Sequence, residues 1–140
     1  MCTIRLMYCP YCNSATKVTN SRSHNKNKAV WRRRQCKNCD AIWSTDEKYD
    51  LHTTHMIKST SQNHMEPFSR DLLFVSIRAS LIHRKSPTQD ASALTDTIIG
   101  QVLSLNQSEI DSAELRQLTY DTLHKFDKTA AAVYISTQSQ

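Results

Sequence analysis

Apolar positions along this 140-residue chain follow two regimes that meet near residue 50. Before Asp50, helical periodicity is absent, and short extended stretches at 17–20, 29–33 and 41–44 alternate with polar turns, the pattern of small strands. Met56 and Ile57, a polar run, and then Met65-Glu66-Pro67-Phe68 predict a β-hairpin. Helical spacing starts after that. Ser69 is placed to cap a helix with a broad apolar stripe of Leu72, Leu73, Val75, Ile77, Leu81 and Ile82. Ser86-Pro87 breaks it, and Asp90 is placed to cap a second helix in which Ala91, Leu94, Ile98, Val102 and Leu105 recur, with Gly100 inside it. Asp111 with Glu114 has capping-box spacing ahead of Leu115, Leu118, Thr122 and Phe126. An Ala-rich segment at 128–135 predicts a last short helix, and the polar tail beyond it is expected to fray.

The fold class expected is therefore α+β. It comprises a unit of short strands over 1–50 and a mainly helical unit with a small hairpin over 51–140. The second unit can bury a helical face. The first has few aliphatic residues and falls below the size at which a core suffices, so it needs a staple.

Charge sharpens this division. The net charge is +5, but residues 1–50 hold ten Lys/Arg against four Asp/Glu, whereas 51–140 hold eight against nine. Between 17 and 37 there are eight basic residues and no acid. Such an asymmetry is expected when one module faces a polyanion. Mean hydropathy is −0.57, no run approaches the roughly 20 apolar residues of a membrane span, and the first residues lack a secretory apolar core. A soluble, cytoplasmic protein with no membrane partner is expected.

The staple is visible in the cysteines. Cys9 and Cys12 form one Cys-x-x-Cys, Cys36 and Cys39 another, with 23 residues between them. Two such turns aim four thiolates at one point, the tetrahedral donor set of structural Zn2+. A site closed by four sulfurs has no open position, and no nucleophile–base pair is evident, so the chain is read as a non-enzyme. Cys2 is read as an incidental thiol, and His52 and His55 as side chains of a surface or hairpin segment.

Val30-Trp31-Arg32-Arg33-Arg34-Gln35-Cys36 joins the charge to the staple. If Cys36 is a ligand, the strand before it is held rigidly, with Arg32 and Arg34 on one face and Arg33 on the other. Arginine forks match phosphates bidentately and also read guanine edges. Lys17, Arg22 and Lys37 extend the basic set, and Trp31 either covers the thin core or contacts bases. Basic ribbons also bind RNA, so an RNA- or ribosome-associated protein with a helical interaction domain is the alternative.

Met7-Tyr8-Cys9-Pro10-Tyr11-Cys12, Val18-Thr19-Asn20-Ser21-Arg22 and the arginine run into the second Cys-x-x-Cys resemble the N-terminal zinc ribbon of the NrdR family. Residues 1–6 stand before the family's usual start as a possible extension. Trp31 stands where one more arginine is usual. Ile57-Lys58, Glu66-Pro67-Phe68 and the helices through Phe126 are similar to the family's second domain, an ATP-cone. The resemblance implies a zinc-dependent, nucleotide-responsive repressor of ribonucleotide reductase genes. Its ribbon would bind double-stranded DNA, and its cone would bind ATP or dATP and self-associate into homo-oligomers. Met56, Lys58 and Glu66 would be nucleotide contacts, while the family's lysine after the Pro-Phe pair aligns with Leu72.

Overall fold

A computed structural model of the chain describes residues 7–25, 28–59 and 61–138; the possible extension at 1–6, with Cys2, lies outside them. The chain divides into two compact units, Met1–Tyr49 and Asp50–Gln140.

In the first unit, β1 (Thr16–His24), β2 (Ala29–Cys36) and β3 (Ile42–Glu47) form an antiparallel sheet in the order β1-β2-β3. The strands run longer than their apolar residues suggest, because ladder pairing recruits polar neighbours such as Ser21, Arg22 and Ser23 opposite Arg32, Trp31 and Val30. A bulge between Val18 and Asn20 shifts the β1 register. Among the described residues of this unit, Cys9, Thr16, Ala29 and Cys36 are the buried ones, whereas every member of the molecule's apolar core cluster belongs to the second unit. The sheet therefore has no aliphatic core of its own.

The second unit opens with a short helix, α1 (Leu51–Thr54), capped by Asp50 Oδ1, which accepts from His52 N at 3.2 Å. His52 lies on that helix with its side chain exposed, a surface position as expected. The hairpin itself forms as expected from β4 (Met56–Ser59) and β5 (His64–Pro67). Then come α2 (Arg70–Ser80), α3 (Pro87–Ser104), β6 (Glu109–Asp111), α4 (Ser112–Phe126) and α5 (Lys128–Gln138). β6 adds to β4 in parallel, giving the order β5-β4-β6.

Several starts and ends differ from the sequence expectation. α3 begins at Pro87, three residues before Asp90, because proline's fixed φ and missing N–H suit the first helical position. β6 carries only one buried apolar side chain, Ile110, and no periodicity of its own. Asp111 ends β6 and also caps α4, accepting from Ala113 N at 2.7 Å. α5 continues through Gln138 rather than fraying after 135.

The core is built from Leu73, Ile77 and Leu81 of and after α2, Ala91, Leu94, Ile98 and Val102 of α3, Leu123 of α4, and Phe68 and Ile110. The broad stripe expected on α2 is split. Leu73 and Ile77 are buried, whereas Leu72, Val75 and Ile82 face solvent. Phe126 is also exposed, with the Arg84 guanidinium 4.5 Å above its ring. Among the described residues no helix is long and apolar enough to cross a membrane.

Candidate metal centre and nucleic-acid interface

The four thiols sit on two turns of the same build. In each, the residue after the second cysteine takes the left-handed conformation: Asn13 at φ 57 and Asp40 at φ 55. Asn and Asp tolerate that region better than other non-glycine residues. The first turn closes through Asn13 N donating to Cys9 O at 3.0 Å and Cys9 N to Ser14 O at 2.9 Å. The second closes through Cys36 N donating to Ala41 O at 2.9 Å. Lys37 N donates to Ala15 O at 3.1 Å, and Tyr8 bridges Ala15, so the two turns are tied together by backbone.

This frame brings Cys9, Cys12, Cys36 and Cys39 together with all four Sγ atoms within 4.8 Å of one another. Cys9 and Cys39 are 3.7 Å apart, and Cys12 and Cys36 are 3.4 Å apart, with no disulfide. Four sulfurs around a zinc at ~2.3 Å would be separated by ~3.8 Å, so the donor set and spacing fit Zn2+. Amide N–H groups of Asn38 and Cys39 donate to Cys36 Sγ at 3.3 and 3.4 Å, and Tyr11 N donates to Cys9 Sγ at 3.4 Å. Such bonds stabilise thiolate charge.

The thiols crowd one another, so the ionisation of each depends on its neighbours. Cys12 is lowered to about 6, first by Ser14 side-chain and backbone hydrogen bonds and then by Cys36. Cys39 is pushed up to about 12: the Ala41 amide lowers it, but desolvation and the neighbouring Cys12, Cys36 and Cys9 sulfurs outweigh that. Crowded thiols cannot all ionise without a cation, which is the condition a bound metal removes.

β2 leads directly into Cys36. Its ladder sets Arg32 opposite Ser21 and Thr45, Arg33 opposite Asn20 and Ser44, and Arg34 opposite Val18 and Trp43. Arg32 and Arg34 therefore share one face, as alternation requires, and both are partly covered. Arg32 Nη2 lies 3.1 Å from Glu47 Oε2, and Arg34 Nε donates to Thr45 Oγ1 at 3.3 Å. Trp43 on that face meets Tyr11 edge-on at 6.4 Å between ring centroids. Arg33 is exposed on the opposite face, with Trp31 half-buried beside it. Trp31 pairs with Arg22 and with Asp46, and Gln35 pairs with Lys17. Lys17, Arg22 and Lys37 are exposed.

In the second unit, a cavity of about 250 Å³ lies between the hairpin and helices α2, α4 and α5. Ile57 and its cross-strand partner Glu66 line it, with Leu72, Arg116 and Tyr134. Met56 and Lys58 flank Ile57 on β4, so their side chains belong to the other face of the sheet. Glu66 and Arg116 are the charged residues among those lining it. Burial pushes the Tyr134 phenol up, countered in part by its hydrogen bond with Thr119. Arg116 carries no signal in the sequence: it sits on the polar side of α4, 50 positions from Glu66.

Fold and site together define a zinc-ribbon protein with a separate, mainly helical α+β unit. A family model described as "Transcriptional repressor NrdR-like, N-terminal domain" matches residues 7–47. The protein named transcriptional repressor NrdR from Finegoldia magna is 33% identical over 133 residues, covering 91% of this chain and 87% of that relative. Its namesake from Rhodospirillum centenum is 33% identical over 131 residues, covering 93% and 84%. The one from Thiobacillus denitrificans is 33% identical over 135 residues, again covering 93% and 84%. The chain belongs to the NrdR family of transcriptional repressors, which is not a family of enzymes.

Proposed function

We propose that this chain is a zinc-dependent, nucleotide-responsive repressor that binds double-stranded DNA at ribonucleotide reductase genes and assembles into homo-oligomers. The observation that carries the DNA reading is the placement of a basic run on a strand that ends in a zinc ligand. Cys9, Cys12, Cys36 and Cys39 would hold one Zn2+, whose contribution is to fix the ribbon. Arg33, Lys17 and Arg22, exposed on one face, would meet phosphates first, with Lys37 at the strand's end and Trp31 beside them. Arg32 and Arg34 are held by neighbours on the second face, positioned for contacts that require less reordering.

The cavity between hairpin and helices would take ATP or dATP. Charge recognition there falls to Glu66 and Arg116. Met56 and Lys58, on the other face of β4, would serve only a part of the nucleotide that extends past the hairpin.

The test is binding of the zinc-loaded chain to duplex DNA from upstream of a ribonucleotide reductase gene, over a range of salt. Removing one phosphate-binding side chain should make the slope of log affinity against log salt shallower by about 0.9. Undiminished binding after neutralising Arg32, Arg33 and Arg34 overturns the interface. Structured RNA that competes as well as the duplex points to an RNA-binding ribbon instead. ATP and dATP titrations of Glu66→Gln, Arg116→Ala and Lys58→Ala test the cavity, with the first two expected to weaken binding most.

A further inference from the structure

Helix α2 buries one face, Leu73, Ile77 and Ser80, and presents a second apolar face to solvent. Leu72 is 68% exposed and Val75 60%, with exposed Ala79 completing an i, i+3, i+7 row, and Ile82, in the turn just after, is 77% exposed. Two large aliphatic side chains so exposed on one helix, with a third in the turn that follows it, are more than scattered surface hydrophobics.

The charges beside this row are arranged to match themselves. Asp71 and Arg78 are seven residues apart, two turns or about 10.5 Å along the axis and on nearly the same side of the helix. Arg70, by contrast, is held by Asp96 at 2.9 Å within the chain. Among the described residues Asp71 has no ion-pair partner. Among the described residues Arg78 donates through Nε to Thr88 Oγ1 at 3.0 Å and makes no ion pair. If a second α2 lies antiparallel across the first, about a two-fold axis at Val75, Asp71 of each copy comes within one residue, about 1.5 Å along the axis, of standing opposite Arg78 of the other, an offset the long Arg78 side chain can span. Val75 then meets Val75, and Leu72 packs within one residue of Ala79. A two-fold contact demands this self-complementarity.

We propose that the outer face of α2 docks on the α2 face of a second copy of this chain, antiparallel about Val75. The proposal rests on the self-association proposed above and names its surface. One helix face supplies less than the about 800 Å² per partner of a standard interface, so this contact is weak by itself and open to adjustment. Leu72 supplies the means. It stands at the end of the row and also lines the cavity with Glu66 and Arg116. A ligand that fixes the Leu72 side chain alters the docking row directly.

Sedimentation of the full zinc-loaded chain at rising concentration, without nucleotide, tests this. Val75→Arg places like charges on the two-fold axis and should weaken association at least about a hundredfold. Asp71→Arg or Arg78→Asp alone should weaken it on the order of tenfold, through two repulsive pairs. The double reversal should restore it, which mere loss of folding would not do. Circular dichroism of each variant checks that the helices persist. A dimer indifferent to Val75→Arg and to both reversals leaves self-association standing and overturns α2 as its surface. A chain that stays monomeric at every concentration overturns both.

Discussion

Asp127 is the residue on which the end of the helical unit turns. Its Oδ2 accepts from His83 Nε2 and Arg84 Nη1, each at 3.0 Å, and its Oδ1 accepts from Ala130 N at 3.1 Å, capping α5. The His83 hydrogen bond first, then the Ala130 amide and Arg84, hold its carboxyl well below the usual carboxylate range, against the opposing effect of burial. A folded-state value below the unfolded one adds stability that is fully present above the ordinary carboxylate value of about 4. That contribution is lost as pH falls from there toward the folded value. Asp127→Asn keeps an oxygen that caps α5 but removes the charge facing His83 and Arg84, and should lower the thermal midpoint at neutral pH through that lost pairing. It should also flatten the loss of stability on acidification below about pH 4. Thermal melts of both proteins across that window check it. An equally steep acid loss in the variant would assign the effect to another carboxylate.

At the scale of elements, β2 shows how a strand distributes charge. Alternation puts Arg33 on the open face and Arg32 and Arg34 on the covered one, and cross-strand neighbours then decide how free each is. Glu47 holds Arg32 in a pair whose acid is 70% exposed. Removing it with Glu47→Gln should change stability by less than about 1 kcal/mol. Duplex affinity should rise a few-fold at low salt, as a competing acid is removed and Arg32 is released. Binding that falls instead would mean that Glu47 orients Arg32 for its contact. The elements themselves were unevenly legible. Helices α2 and α4 could be read because Ser69 and Asp111 cap them where apolar periodicity begins. β6 could not, since three residues carry no period and its pairing partner β4 lies about 50 positions earlier. The α2 stripe was legible as apolar but not as two faces. Six apolar positions over eleven residues satisfy a helix on either side, and only packing against α3 and α5 chose Leu73 and Ile77.

For the whole molecule, two units reach stability by different routes. The second has a continuous apolar core, whereas two of the four buried side chains of the first are thiols. Removing zinc with a strong chelator should therefore unfold the first unit and leave the second. Helical circular dichroism should hardly change while Trp31 and Trp43 emission shifts, since both tryptophans lie in the sheet. Cys36→Ser should give the same state without chelator, because ligand binding and folding are one event in such ribbons. Loss of helix on chelation would show that the second unit depends on the first.

The sequence by itself determined the metal site, the charge asymmetry and the α+β order. Those are local facts: two Cys-x-x-Cys turns, an acid-free basic run and capped periodic segments each declare themselves within a few residues. Tertiary structure alone decided which arginine stands free, which face of α2 meets water, and that Glu66 and Arg116 share a cavity that Lys58 does not line. The reason is physical. Each depends on pairing register or on packing between segments distant in the chain, and no window of sequence contains both partners.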